Sequence, residues 1–197
     1  MGKIFYIMGK SSSGKDTIYK HLIEDKEFNF KNIVGYTTRP IRQGEINGKE
    51  YYFVTVEGME ELIKAGKVIE RRAYDTVHGV WNYFTADDGQ IDIDKEDCLL
   101  IGTLESYGNV RKYFGEEAVV PIYIYVEDGV RLSRALEREK QQREPKYAEM
   151  CRRFLADEAD FSEENIKMHN IKNRFENKDL TECVDEIKAF IRSSKEA

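Results

Sequence analysis

A chain of 197 residues with 41% hydrophobic and 35% charged residues has enough apolar content for one core-bearing domain and much solvated surface. Its net charge of -6 supplies no general basic field toward nucleic acid, so an anionic ligand must be held by a local cluster of Arg and Lys. Three cysteines (Cys98, Cys151, Cys183) and three histidines (His21, His78, His169) are scattered without CxxC or metal-ligand spacing, which argues against a disulfide framework or zinc site and suits a reducing cytoplasm.

The N-terminus carries no signal-peptide pattern, and no apolar run approaches membrane-spanning length, so a cytoplasmic protein is expected. The first element is the apolar, β-rich run from Lys3 to Met8, which enters a Gly/Ser loop. Helical spacing follows in Ile18, Leu22 and Ile23, giving strand, loop and helix, the opening of a parallel α/β sheet. From about Gly35 to Ile93 the pattern changes to short Tyr- and Val-rich runs, EYYFVTV and KVIERRAY, separated by turn signals. Asn47-Gly48 reads as a hairpin turn. This stretch is expected to form a small mixed sub-domain inserted between two core strands. Buried strands are predicted at Cys98–Ile101 and Pro121–Val126, each followed by a helical pattern. A charged helical region from Gly129 to about Asp160 is broken at Pro145, and Leu180–Arg192 is an amphipathic helix.

The loop after the first strand reads GKSSSGKDT and matches G-x-x-x-x-G-K at Gly9, Gly14 and Lys15. Glycines let several backbone N–H groups point at one phosphate, and the helix that follows adds its positive end. Lys15 can then reach the β- and γ-phosphates of a nucleotide. Gly9, Lys10, Ser11, Ser12, Ser13, Gly14, Lys15, Asp16 and Thr17 are therefore expected at an ATP site. The position after Lys15, where the motif has a hydroxyl that binds magnesium, holds Asp16.

Residues 37–53 read TTRPIRQGEINGKEYYF. This segment resembles the acceptor-binding pattern of guanylate kinases, TTR-x-x-R-x-G-E-x-x-G-x-x-Y-x-F, and the resemblance spans nearly the whole chain in the right order. It implies an α/β P-loop kinase fold with a central parallel sheet, an inserted mixed α/β acceptor-binding sub-domain and a helical lid. The expected organisation is a single domain over 1–197, with a core at about 1–34, 95–130 and 162–197, the acceptor sub-domain at about 35–94 and the lid at about 131–161. The implied activity is transfer of a phosphoryl group from ATP to GMP, and to dGMP, with Mg²⁺ as cofactor.

The resemblance assigns Arg39, Arg42 and Tyr51 to the acceptor phosphate, with Glu45 among them. Glu70 matches the glutamate that takes the N–H groups of guanine, and Tyr83 and Thr85 stand near the family's Tyr-Gly-Ser/Thr. An insertion containing His78 and Trp81 falls near Ala73–Trp81. Arg134 and Arg138 share one helix face and resemble the lid arginines, joined by Arg153. Asn177 resembles the asparagine near the adenine. Two departures stand out. Gly35 replaces a serine that reads the guanine carbonyl. In IGTLESYG, Thr103 and Glu105 stand where the family has D-I-D, so Asp16 and Thr103 are candidates to have exchanged roles at the metal. The implied partners are small nucleotides, ATP and GMP, with no nucleic acid and no membrane; a homodimer stays open. Two alternatives remain: a related kinase with another phosphorylated acceptor, such as a different nucleotide or ribose 1,5-bisphosphate, and a non-catalytic phospho-ligand module. An intact loop and intact lid arginines disfavour the second.

Overall fold

The computed structural model describes residues 2–76 and 79–196, so His78 lies outside the described residues. Two sheets organise the chain. The first contains β1 (Ile4–Met8), β2 (Lys31–Asn32), β7 (Cys98–Gly102), β8 (Val119–Tyr125) and β9 (Arg174–Glu176), all parallel, in the order β2-β7-β1-β8-β9. The second contains β3 (Tyr36–Thr37), β4 (Tyr52–Phe53), β5 (Val68–Thr76) and β6 (Gly79–Ala86), in the order β4-β3-β6-β5. In sequence it lies wholly between β2 and β7.

The central strand β1 is buried on both faces, and its pleat divides the core. Ile4, Tyr6 and Met8 face one side, against α3 (Leu104–Phe114) and α6 (Glu163–Met168). Phe5 and Ile7 face the other, against α1 (Lys15–Glu24) and α7 (Leu180–Glu196). The predicted amphipathic stripe of α7 appears as buried Val184, Ile187 and Ile191. Asp179 starts this helix by accepting from the backbone N–H of Thr181 and Glu182. Two charged helices, α4 (Asp128–Lys140) and α5 (Tyr147–Asp160), follow β8, and Pro145 sits in the break between them. No helix among the described residues is long and apolar enough to cross a membrane.

Two local expectations are corrected. Asn47-Gly48 makes no hairpin, because β4 runs parallel to β3. Lys49 N–H donates to the Ile46 carbonyl at 3.0 Å, and of the two central residues only Gly48 has a positive φ, +83°. That is the signature of a type II turn, which needs the left-handed conformation at one position, whereas the hairpin type needs it at both. The run EYYFVTV is also not one strand. Only Tyr52–Phe53 joins the sheet, Tyr51 makes an isolated bridge to Asn47, and Val56 begins α2 (Val56–Lys64), whose cap is the Thr55 hydroxyl accepting from Gly58 N–H. The β-branched residues favoured a strand locally. A cap four residues before Met59, on an apolar face that Leu62 shares, decided otherwise. The insertion near Ala73–Trp81 lengthens the β5–β6 ribbon, with Tyr74 opposite Trp81 and Thr76 opposite Gly79.

Candidate active site

The carboxyl ends of the parallel strands gather the loops that carry chemistry. The Gly9–Gly14 loop follows β1, Thr103 follows β7, Glu127 and Asp128 follow β8, and Asn177 follows β9. Gly14 caps α1 at φ +86°, and a Cβ there would lie 2.3 Å from Asn177 Nδ2, so a substitution would be strained and would push Asn177 away. Asn177 donates from that nitrogen to the Ser13 carbonyl at 2.8 Å, pinning the loop to the chain after β9. Ser12 and Ser13 bury their hydroxyl oxygens without a hydrogen-bond partner among the described residues. Buried hydroxyls are normally satisfied, so these two point to a ligand that brings its own oxygens. Lys15 lies at the start of α1 with its ammonium 3.3 Å from the Asp16 carboxylate, and the Asp16 side chain is 79% exposed.

The loop is held from α4 and α5 by a charged cluster. Ser11 N–H donates to Asp157 at 2.7 Å, and Lys10 pairs with Glu158 at 2.7 Å. Arg131, only 1% exposed, donates to the Ser11 carbonyl, pairs with Asp128, Asp157 and Glu158, and stacks on Phe154 at 4.1 Å. Arg134 donates to the Asn177 carbonyl at 3.0 Å, beside the loop. Arg138 is exposed near the end of α4, and Arg153 pairs with Glu149 at 2.8 Å on α5. Neither is hydrogen-bonded to the loop among the described residues.

On the second sheet, the buried Arg39 guanidinium meets both oxygens of Glu45, at 2.7 and 2.6 Å, and lies over the rings of Tyr51 and Phe53. Glu45 also accepts from Arg42 N–H at 2.8 Å. The Arg39 bonds pull its carboxyl down from 4.5 to about 2. Tyr51 and Tyr83 meet edge to face at 5.6 Å. Burial raises the Tyr51 hydroxyl, and the charge of Asp16 adds to the rise, so this cluster lies within electrostatic reach of α1's first turn. These contacts set the Arg39 guanidinium over the Tyr51 ring and beside Tyr83.

Glu70 and Thr85 lie two residues further along the ribbon, paired across β5 and β6. The Glu70 side chain is 0% exposed. It accepts from Arg72 Nε at 3.0 Å, from Arg72 NH2 at 3.3 Å and from the Thr85 hydroxyl at 2.9 Å. Arg72 NH1 donates to the Thr103 hydroxyl at 3.2 Å, and that same oxygen caps α3 by accepting from Ser106 N–H. The structure thus places Thr103 between a helix end and Arg72. Glu105 sits in the first turn of α3, on the wall of a cavity of about 480 Å³ with Tyr74, Thr103 and Asp160.

Sequence reasoning missed Arg72, Arg131, Asp157 and Glu158. Arg72 had a readable signal, since residues two apart on a strand share a face and Glu70 was already singled out. Arg131 had none, because its burial depends on how α5 packs back on α4.

A glycine-rich loop between a parallel strand and a helix, with a second mixed sheet inserted in the chain, defines a P-loop kinase fold. Comparisons narrow the class. The guanylate kinase family model matches residues 1–194. The chain is 30% identical to the guanylate kinase of Porphyromonas gingivalis over 194 residues, 97% of each chain. It is also 30% identical to that of Mycoplasma mobile over 200 residues, 97% of this chain and 92% of the other. The crystal structure of guanylate kinase from Anaplasma phagocytophilum matches with a TM-score of 0.63 at 26% identity, covering 98% of this chain and 85% of that one. The chain belongs to the guanylate kinase family, and as a nucleoside monophosphate kinase it phosphorylates its acceptor with ATP.

Proposed function

We propose that the acceptor is GMP, with dGMP as a second substrate, and that the product is the nucleoside diphosphate. The observation that carries this reading is the pair of candidate anion sites, one shaped by Gly9–Thr17 beside the first sheet and one by Arg39, Arg42, Tyr51 and Tyr83 on the second. In it, α4 and α5 form the lid and the second sheet forms the acceptor-binding unit.

The acceptor phosphate has a second pKa of about 6 and is largely a dianion at neutral pH, so it attacks without a general base. One acceptor oxygen forms a bond to the γ-phosphorus. The bond from that phosphorus to the bridging oxygen breaks, and ADP leaves with the electron pair. Residues of this chain contribute position and charge. Arg39, held rigid by Glu45, and Arg42 orient the acceptor phosphate with Tyr51. Lys15, Arg134, Arg138 and Arg153 offset charge on the group in flight, the last two after the lid moves toward the loop. Asn177 holds the loop near the adenine. An exposed carboxylate beside the loop suits a hard cation, so Asp16 would hold the Mg²⁺ that accompanies ATP, and the ion would supply charge neutralisation at the phosphates. Closure excludes water, which would otherwise accept the phosphoryl group.

A coupled assay of ADP production tests the reading. GMP is expected to exceed AMP and UMP in kcat/KM by at least ~10²-fold, because a pocket that bonds one base edge leaves its own polar groups unpaired with another. ADP release that ignores the acceptor, or a preference for AMP or UMP, would overturn it.

A further inference from the structure

We propose that the side chain of Ser12 is a further contact to ATP, its hydroxyl turning in the filled loop to donate to an oxygen of the terminal phosphates. The inference rests on the reading of the Gly9–Thr17 loop as the ATP site and adds a side chain to that backbone cradle; it does not depend on which acceptor is used.

Ser13 N–H donates to the Lys10 carbonyl at 3.2 Å, closing a turn with Ser11 and Ser12 at its centre. Of these two, only Ser12 has a positive φ, +64°. A type II turn puts the left-handed conformation at that position and favours glycine there, because a Cβ crowds the following carbonyl oxygen. Every other residue of positive φ among those described is glycine or asparagine, the types that enter this region most readily. Ser12 is the exception, and glycine would remove its strain.

The strained shape is fixed by the residues on either side. Ser11 N–H is bonded to Asp157 at 2.7 Å and the Ser11 carbonyl to Arg131, while Asn177 holds the Ser13 carbonyl at 2.8 Å. Backbone strain that its neighbours hold in place collects at functional sites. The side chain carries a second cost. Ser12 Oγ is covered and has no hydrogen-bond partner among the described residues, and glycine would remove that penalty too. Ser13 shares the unpartnered hydroxyl but not the strain, and its Oγ lies 2.9 Å from where a Cβ on Gly9 would stand, so it also fills the foot of the loop.

Two costs at one residue thus gain nothing in the empty protein. A phosphate oxygen gives the hydroxyl its acceptor, in a charge-assisted bond. Ser12 as a whole is only half-buried, so its oxygen is covered by the choice of rotamer rather than by depth. Rotation about χ1 uncovers it while the clamped backbone stays in place.

The test compares wild type, Ser12→Gly, Ser12→Ala and Lys15→Ala by equilibrium binding of ATP with Mg²⁺, steady-state kinetics and thermal unfolding. Both Ser12 variants should bind ATP about tenfold more weakly and raise KM for ATP by the same factor, with KM for the monophosphate within about twofold of wild type. Ser12→Gly relieves the backbone and should melt about 2–4 °C above Ser12→Ala, so stability and ATP affinity part company. A merely structural serine would move the two together. Wild-type ATP affinity in both variants would overturn the inference. Loss of affinity in Ser12→Gly with Ser12→Ala intact would assign the effect to backbone freedom and overturn it equally. Lys15→Ala with ATP binding and turnover both intact would overturn the reading of the loop itself, whereas a defective Lys15→Ala beside normal Ser12 variants would overturn only the role of the hydroxyl.

Discussion

Replacing Arg131 with alanine should destabilise the fold and loosen the phosphate loop together. The guanidinium is 1% exposed and faces Asp128, Asp157 and Glu158, whose side chains are 47%, 17% and 36% exposed. Removing one partner from a buried ion pair costs about 3–5 kcal/mol. Two of these carboxylates can turn partly to water, and Lys10 remains near Asp128 and Glu158, so the cost falls to about 2–3 kcal/mol. At roughly 2–4 °C per kcal/mol for a chain of this length, Tm should drop by about 5–10 °C. Arg131→Lys keeps the charge but loses the planar fork and the stack on Phe154, so it should fall between alanine and wild type. Because Arg131 also donates to the Ser11 carbonyl, KM for ATP should rise about tenfold in Arg131→Ala, while KM for the monophosphate stays put. Thermal unfolding by circular dichroism and steady-state kinetics on the same samples provide both readouts. A Tm drop under about 2 °C, or a larger effect on the monophosphate than on ATP, would refute this account of the cluster.

Lys15→Ala should lower kcat at least ~10²-fold with an unchanged circular dichroism spectrum, since it strips charge from the transferring group; near-normal turnover would remove Lys15 from the reaction. Arg39→Ala and Arg42→Ala should raise KM for the monophosphate far more than KM for ATP, and equal effects on both would contradict their placement at the acceptor. The Glu45 carboxyl titrates near 2 in the fold and near 4.5 when free, so its stabilisation is complete above pH 4.5 and disappears as pH falls toward 2. The stability gap between wild type and Glu45→Gln should therefore close across that window in acid-unfolding experiments; a gap independent of pH would mean the Arg39 pair contributes nothing.

The parallel core was legible because strands buried on both faces leave continuous apolar runs, as at Cys98–Ile101 and in the run around Pro121–Val126, and because α7 keeps its stripe over several turns. The phosphate loop was legible because its glycines and lysine are adjacent in sequence. The second sheet was harder. Its strands β3 and β4 are two residues each, too short for any periodicity, and Tyr51, Tyr52 and Phe53 take their positions from Arg39 and β3. Pairings across distance were the hardest. Arg72 reaches Thr103 across 31 positions and Arg131 reaches Glu158 across 27, and a charged residue in a charged helix reads as solvated until its neighbours are known.

The bond from Asn177 to the Ser13 carbonyl joins positions 164 residues apart. A ribosome releases this chain from the N-terminus, so the glycine-rich turn emerges early and waits for most of synthesis before its clasp exists. Over the first half of that interval β1 also lacks both of its neighbours, β7 and β8. Nucleotide cannot act as an early folding template here, because the shape that grips it is completed by the last fifth of the sequence. Affinity for ATP should appear late and abruptly on a nascent chain of increasing length, once β9 and Asn177 are free to dock.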